Sequence, residues 1–326
     1  MVKADAYGLG AIPVARALEA LDPWGFGVAT IAEGAELRAA GIRRPIVVFS
    51  PLWGSDLDDC ATHELTPALG HRDAIERWST ARAGSWHLAI DTGMSRAGIQ
   101  WNEIESIRDL LERAPPEGAF THFHSAERND GSRARQEARF VGAIERLPAR
   151  PRLLHAENSA ACERATPSRW DLVRPGIFLY GVGSGPGARL APEPVVSIRA
   201  RITELRWLEN GETVSYSATY RAVGRRRVAT LPAGYADGYR RSLSNRGSAL
   251  VGGRRVCVAG LVTMDMTMLD VTDIPCAVGD VATLLGADGD QRLTVADLAL
   301  AGDLSPYEVL TGLRGRMERI YFDAPA

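Results

Sequence analysis

Between Trp24 and Gly181, short β-rich runs alternate with amphipathic stretches, and this alternation narrows the fold more than any other feature. Residues 26–30 read as a strand and 31–40 as a helix; 45–50 and 73–82 repeat the pair. A strand at 86–91 precedes a helix at 103–113, whose Ile104, Ile107, Leu110 and Leu111 keep helical spacing. The strand 119–124 leads into a long helix, 135–147, and further strands are expected at 152–156 and 176–180. Strands alternating with helical crossovers build a parallel sheet, open or closed into a barrel.

The pattern then breaks. Residues 181–194, GVGSGPGARLAPEP, read as a Gly/Pro-rich linker. Beyond it the segments 195–206, 228–231, 248–251, 255–261 and 281–285 look like strands of an antiparallel domain. Asn210-Gly211 and Gly252-Gly253 are hairpin-type turns. Helical stretches at 295–300 and 306–313 precede a last strand at 319–322. The expected organisation is an α/β barrel over 1–190, short at its N-terminal end, followed by a mainly β domain over 191–326. The barrel's last helical elements would come from the boundary region. A chain of 326 residues suits a barrel of roughly 250 residues with a small partner.

Composition removes several functions. The net charge of −2 gives no basic face to displace counterions from nucleic acid. No run of ~18 apolar residues supports a membrane span. The start, MVKADAYGLG, lacks the regions of a signal peptide. Cys60, Cys162, Cys257 and Cys276 are scattered without CxxC spacing, which suits reduced thiols and a cytoplasmic location. Of 38 basic residues 37 are arginine, and the single lysine is Lys3. Arginine serves for surface charge and ion pairs, but it does not give up its proton to act as an amine nucleophile or base. Lys3 is therefore either an amine kept for Schiff-base chemistry or a chance survivor.

Chemistry in α/β sheets gathers where strands end and loops begin. Lys3 and Tyr7 follow the first short run, and Arg96 follows the strand ending at Asp91. His122 and His124 end another strand, Asn158 and Ser159 follow the next, and Arg174 precedes Pro175-Gly176. The residues VKADAYG around Lys3 resemble the pyridoxal-phosphate lysine motif of the alanine racemases. DTGMSRAG, THF, ENSAA, RPGIFLYG, VSYSATY, GYADGY and TMDM follow in that family's order, over nearly the whole chain.

The resemblance implies a (β/α)8 TIM-type barrel with a mainly β C-terminal domain, interconverting L- and D-alanine and supplying D-alanine for peptidoglycan. Pyridoxal 5'-phosphate would delocalise the carbanion left when the α-proton departs, and the protein would supply bases and geometry. Lys3 would hold the cofactor and serve as one base; Tyr216 matches the base on the opposite face. Without the resemblance, Tyr216 reads as an ordinary strand aromatic. Arg174 matches the arginine facing the pyridine nitrogen; it cannot readily protonate that nitrogen and so limits side reactions. Ser159, the Gly176 and Ile177 amides, and the hydroxyls of Tyr7 and Tyr307 match phosphate contacts. His122 matches a histidine near the cofactor ring, and His155 one supporting the arginine. Arg96 and Met264 match contacts to the substrate carboxylate, with Asp265 and Tyr235 in the same mouth. In the family Tyr216 and Met264 come from a second subunit, so the resemblance implies a homodimer with composite sites.

Departures from the family are expected to matter at four places. Lys3 stands near the start of the chain, with almost no strand before it, so a truncated, inactive family member that binds the cofactor is an alternative reading. Ala89 occupies the position of a carbamylated lysine that orients the arginine matching Arg96, so an anion or another side chain must substitute, or Arg96 is less constrained. Leu9 stands where histidine is common, and Thr263 replaces a frequent cysteine. A racemase for serine or another amino acid fits nearly as well. A metal-dependent hydrolase built on His122 and His124, which share one strand face, is a different class and lacks a convincing set of further ligands.

Overall fold

The computed structural model describes residues 1–81, 84–164, 167–313 and 315–322. By its internal contacts the chain divides into two compact units. One comprises Met1–Ala6, Gly10–Leu179 and Gly183–Pro192; the other comprises Tyr7–Leu9, Tyr180–Val182 and Glu193–Ala326.

The first unit is the α/β part. Its strands are β1 (Phe26–Val28), β2 (Ile46–Val48), β3 (Thr66–Leu69), β4 (His87–Asp91), β5 (Ile99–Gln100), β6 (Gly118–Phe120), β7 (Leu153–Asn158) and β8 (Leu172–Arg174). They form one parallel sheet in the order β1-β2-β3-β4-β6-β7-β8, with β5 paired to β4. Helices α1 (Lys3–Gly8) and α2 (Ala11–Glu19) precede β1, and α3 (Ile31–Ala39), α4 (Asp56–Thr62), α5 (Arg72–Ala81), α6 (Arg108–Arg113), α7 (Ser132–Ile144) and α8 (Ser159–Arg164) lie between the strands in sequence. Neighbours in sequence are neighbours in the sheet, which is the arrangement of a TIM-type barrel. Residues 1 and 2 bridge its ends: the Val2 N–H donates to Gly27 O in β1 (2.9 Å), and the Met1 amine donates to Pro175 O just after β8 (3.0 Å). Val2 is fully buried, so even this short lead is seated.

Strands buried on both faces read as continuous apolar runs, and β1, β2 and β6 are of that kind. Val47, Ala68, Ala89 and Phe120, from four neighbouring strands, form one apolar cluster, with Trp24 and Phe49 packed against it. The helix expected at 103–113 is a 3-10 turn, Ile104–Ile107, followed by α6. The helix expected at 73–82 is α5, with Arg82 outside the described residues. The strand expected at 176–180 is instead a 3-10 turn, Ile177–Tyr180, and the strand here is β8, which precedes it. Apolar content alone does not separate a short strand from a helical turn.

The second unit is mainly antiparallel: β9 (Ile198–Arg201), β10 (Glu204–Leu208), β11 (Thr213–Val214), β12 (Tyr220–Arg221), β13 (Arg226–Leu231), β14 (Ser248–Val251), β15 (Arg254–Val258), β16 (Thr267–Asp270), β17 (Val281–Asp288) and β18 (Gln291–Leu293). The main sheet runs β10-β13-β16-β15-β14-β17-β18, with β9 on β17; β11 and β12 form a separate hairpin. Gly252 and Gly253 turn β14 into β15 with φ of 56° and 72°, a conformation that suits a two-residue hairpin turn. The single strand expected over 195–206 is split into β9 and β10, and no strand forms at 319–322. Helices α9 (Val295–Gly302) and α10 (Pro306–Thr311) start with capping boxes at Thr294 and Ser305. No helix among the described residues is long and apolar enough to cross a membrane, and all four cysteines are free thiols.

Candidate active site

Lys3 opens a left-handed turn. Ala4, Asp5, Ala6 and Tyr7 have φ of 53°, 55°, 51° and 56°, and Gly8 follows at 87°. For residues with a Cβ this region costs roughly 1–2 kcal/mol each, so four in succession persist only where the surroundings impose them. Several bonds do so. The Ala4 N–H donates to Glu33 Oε1 (2.7 Å), Ala6 N–H to Val2 O (2.9 Å), Gly10 N–H to Asp5 O (2.8 Å) and Ala11 N–H to Asp5 Oδ1 (2.7 Å). Burial and the charge of Arg96 lower the Lys3 amine from its ordinary value, while Glu33 opposes them. A lowered amine pKa raises the fraction available as a base or nucleophile.

Arg174 ends β8 and is buried. Its Nη2 donates to Thr121 O (2.7 Å) and Ala156 O (3.3 Å), and its Nη1 meets His155 Nδ1 at 2.8 Å. A guanidinium can only donate, so His155 Nδ1 accepts and the ring carries its proton on Nε2. That proton points to His87 Nδ1, 2.8 Å away. The imidazoles thus form a directed chain from Arg174 through His155 to His87. Burial first, then neighbouring cations, hold both rings neutral: His155 well below the ordinary histidine range and His87 at about 4. Phe120 stacks on His155 and also lies under the Arg174 guanidinium. Burial lowers Arg174 itself to about 10, which leaves it charged near neutral pH.

His122 follows β6, with Nδ1 3.4 Å from Arg174 Nη2. It is driven down to about 3 by burial, then by Arg174, Arg96 and Lys3, so it too is neutral. Gln136 on α7 holds its backbone, donating to His122 O (3.1 Å) and accepting the His124 N–H (3.1 Å). The His124 ring meets Ser125 Oγ instead. Among the described residues no three His, Cys, Asp or Glu converge on a metal position, so the hydrolase alternative has no donor set.

Asp91 shapes the loop carrying Arg96, accepting the N–H groups of Gly93 (2.8 Å) and Ser95 (3.1 Å). Arg96 itself is exposed. Ala89 belongs to the apolar cluster described above, whose Val47, Ala68 and Phe120 side chains offer no hydrogen-bond donor to a buried anion. At the ends of β7 and β8, Ser159 Oγ accepts the N–H groups of Gly176 (2.8 Å) and Phe178 (3.3 Å). Ile177 opens the 3-10 turn beside them. A hydroxyl with convergent backbone amides is a setting for a phosphate. Lys3, Arg96 and Arg174 therefore gather with neutral histidines, and Glu33, the carboxylate that acts on Lys3, is engaged by backbone N–H groups. The set fits a phosphorylated, aldehyde-bearing cofactor such as pyridoxal phosphate: an amine to bond it, a charged guanidinium that only donates, and amides for the anion.

The remaining expected residues lie in the second unit. Tyr7 stacks on Tyr180 (ring centroids 4.6 Å apart) and is tilted against Tyr307 (6.1 Å). Tyr216 sits at the tip of the β11–β12 hairpin, 73% exposed. The adjoining Ser215 Oγ donates to Leu261 O (2.8 Å), tying this tip to the loop of Met264. The N–H groups of Tyr235 and Ala236 donate to Thr263 O and Met264 O (2.9 and 3.0 Å), an approach that a Cβ at Gly234 would block. Asp265 pairs with Arg316 (2.7 Å), which also pairs with Asp237. Tyr216, Tyr235, Met264 and Asp265 thus share one loop cluster.

Sequence reasoning missed Glu33, His87, Gln136 and Arg316. His87 carried a usable signal: it lies two residues before Ala89 on the same strand, hence on the same face.

A parallel α/β barrel with a lone amine among cations at the strand ends, joined to an antiparallel β unit, is the class of pyridoxal-phosphate enzymes built on a barrel rather than on a doubly wound sheet. The family model for the alanine racemase N-terminal domain matches residues 1–184, and that for the C-terminal domain matches 195–321. The chain is 40% identical to the alanine racemase of Sorangium cellulosum, over 98% of this chain and 90% of that protein. Two solved structures are similar. One is the alanine racemase of D-cycloserine-producing Streptomyces lavendulae, with TM-score 0.92 and 31% identity over 99% of this chain and 90% of that one. The other is the alanine racemase of Bartonella henselae with covalently bound pyridoxal phosphate, with TM-score 0.90 and 29% identity over 98% of this chain and 91% of that one. The chain belongs to the alanine racemase family.

Proposed function

We propose that this chain interconverts L- and D-alanine with Lys3 and Tyr216 as its two bases, and pyridoxal phosphate held on Lys3. The observation that carries the reading is the surroundings of Lys3: the chain's single amine side chain, buried enough to be lowered in pKa, beside Arg96 and within the field that also acts on His122. Pyridoxal phosphate, when bound, delocalises the electrons released as the α-proton leaves. Every other task falls to the protein. The Lys3 amine takes or returns the proton on one face. Arg174, held by His155, Thr121 O and Ala156 O, presents N–H donors to the ring nitrogen without giving up a proton. Ser159 with the amides of Gly176 and Ile177 receives the phosphate, joined by the hydroxyls of Tyr7 and Tyr307.

Tyr216 and Met264 would enter from a second copy of the chain in a homodimer, Tyr216 acting on the opposite face while Arg96 and Met264 receive the alanine carboxylate, with Asp265 and Tyr235 in the same mouth. The exposure of Tyr216 and Met264 on one loop cluster supports such a seat. A cytoplasmic enzyme of this kind would supply D-alanine for peptidoglycan.

The test is an absorption spectrum of the purified chain with pyridoxal phosphate, before and after borohydride, with Lys3→Arg as control. A visible band, absent in the variant, that borohydride bleaches while fixing the cofactor onto Lys3, together with turnover of D-alanine, is the expected result. Absence of the band in the unaltered chain would overturn the reading.

A further inference from the structure

We propose that Glu33 is the positioning residue of the lysine turn, its carboxylate tying the peptide that follows Lys3 to the start of α3 and thereby fixing where the amine points. The inference rests on the reading of Lys3 as the cofactor lysine. A capping-box glutamate ordinarily reaches back to its own N-cap. Glu33 does this, with Oε2 accepting the N–H groups of Ala29 (2.7 Å) and Thr30 (3.2 Å) while its own N–H donates to Thr30 Oγ1 (3.3 Å). Its second oxygen does something a cap does not require. Oε1 accepts the N–H of Ala4, 29 positions away in sequence, at 2.7 Å.

The Lys3–Ala4 peptide plane is set by ψ of Lys3 and φ of Ala4. Clamping its N–H therefore orients the lysine backbone and enforces the positive φ of Ala4 together. Position and charge act in one place. Around the amine stand Arg96, the Met1 amine, His122 and Glu33, and Glu33 is the negative group that opposes the cationic surroundings of Lys3.

Because the chain has one lysine, lysine labelled with 13C at Cε yields a single side-chain resonance from the full-length protein, and its titration reads Lys3 directly. Glu33→Gln keeps the size of the side chain, removes its charge, and places an NH2 group where only acceptors fit. The control is Glu36→Gln, an exposed position on the same helix. In Glu33→Gln the Lys3 midpoint is expected to fall by roughly half a unit or more, and exchange of the Ala4 amide to quicken by at least about tenfold. Glu36→Gln should change neither. A folded Glu33→Gln chain with both readouts unchanged overturns the proposal. Should that variant not fold, Glu33→Asp, too short to span both partners, serves the same readouts with the same criteria. If borohydride fixes no pyridoxal phosphate on Lys3 while the midpoint still depends on Glu33, the functional reading fails and the positioning role stands.

Discussion

At the scale of single residues, the turn after Lys3 is the point of greatest local tension. Ala4 is exposed and has φ of 53°, so its side chain contributes little beyond the cost of its backbone region. Ala4→Gly should stabilise the chain by roughly 0.5–1 kcal/mol, net of the added freedom of the unfolded state. Ala4→Val, with a branched Cβ, should destabilise it by about 1–2 kcal/mol or more. Urea midpoints of the two variants, measured with the parent, would show opposite signs; equal midpoints would mean the turn is not held left-handed in solution. The sequence announces the chemistry of this turn through its solitary lysine but not its handedness. Gly8 is the one glycine among its left-handed residues, and nothing in ADAY demands positive φ.

At the scale of elements, the register of β4 against β6 governs the histidine chain. His87 pairs with Gly118 and Ala89 with Phe120. A Cβ on Gly118 would come within 2.7 Å of the His87 ring, so the glycine makes the room in which that imidazole reaches His155. Gly118→Ala should cost about 1–3 kcal/mol through overpacking, and it should displace His87 from His155. The measurement is the 15N spectrum of the imidazoles: loss of the His87–His155 hydrogen bond is the expected signature, and an unchanged spectrum would show that the strands shift to absorb the methyl. The strands β1, β2, β4, β6 and β7 and the helices α3, α5, α6 and α7 were legible from apolar runs and periodicity, whereas β3, α1, α2, α4 and α8 were not read from the sequence. The 3-10 turn at Ile177–Tyr180 was not, since its four residues are apolar or aromatic and suit a buried strand equally well. The short pairs β5, β11 and β12 carry too few residues to show any period.

For the molecule as a whole, the neutral histidines set a pH dependence. His87 titrates at about 4 in the folded state against 6.5 when unperturbed, and His122 and His155 are lowered as well. The unfolded chain therefore binds protons below about pH 6.5 that the folded chain refuses. Stability from this source is complete above that value and is lost progressively as the pH falls from it to the folded-state values. For His87 alone the amount is of order 3 kcal/mol. Urea unfolding free energies should decline between pH 6.5 and 4, and His87→Gln should flatten part of that slope; a decline of the same steepness in the variant would remove His87 from the account. The homodimer reading has its own test. Subunits of Lys3→Arg and Tyr216→Phe, each inactive alone, should regain roughly a quarter of full activity when mixed and reassembled, because a heterodimer holds one undamaged composite site. No recovery despite demonstrated subunit exchange would place both bases on one subunit.

What could be read from residues in order was local or compositional: the alternation that makes a parallel barrel, the Gly/Pro break at 181–194, the antiparallel tail, and the supply of one amine among arginines. Residue type and short-range period encode these because they state which face of each segment avoids water and which groups can change charge. Contacts across long stretches of chain were settled by packing. Glu33 meets Ala4 across 29 positions, His87 meets His155 across 68, and Arg174 reaches Thr121 O across 53. The left-handed turn, the neutral imidazoles and the apolar surroundings of Ala89 follow from such meetings, in which burial and fixed partners outweigh what each residue would do alone.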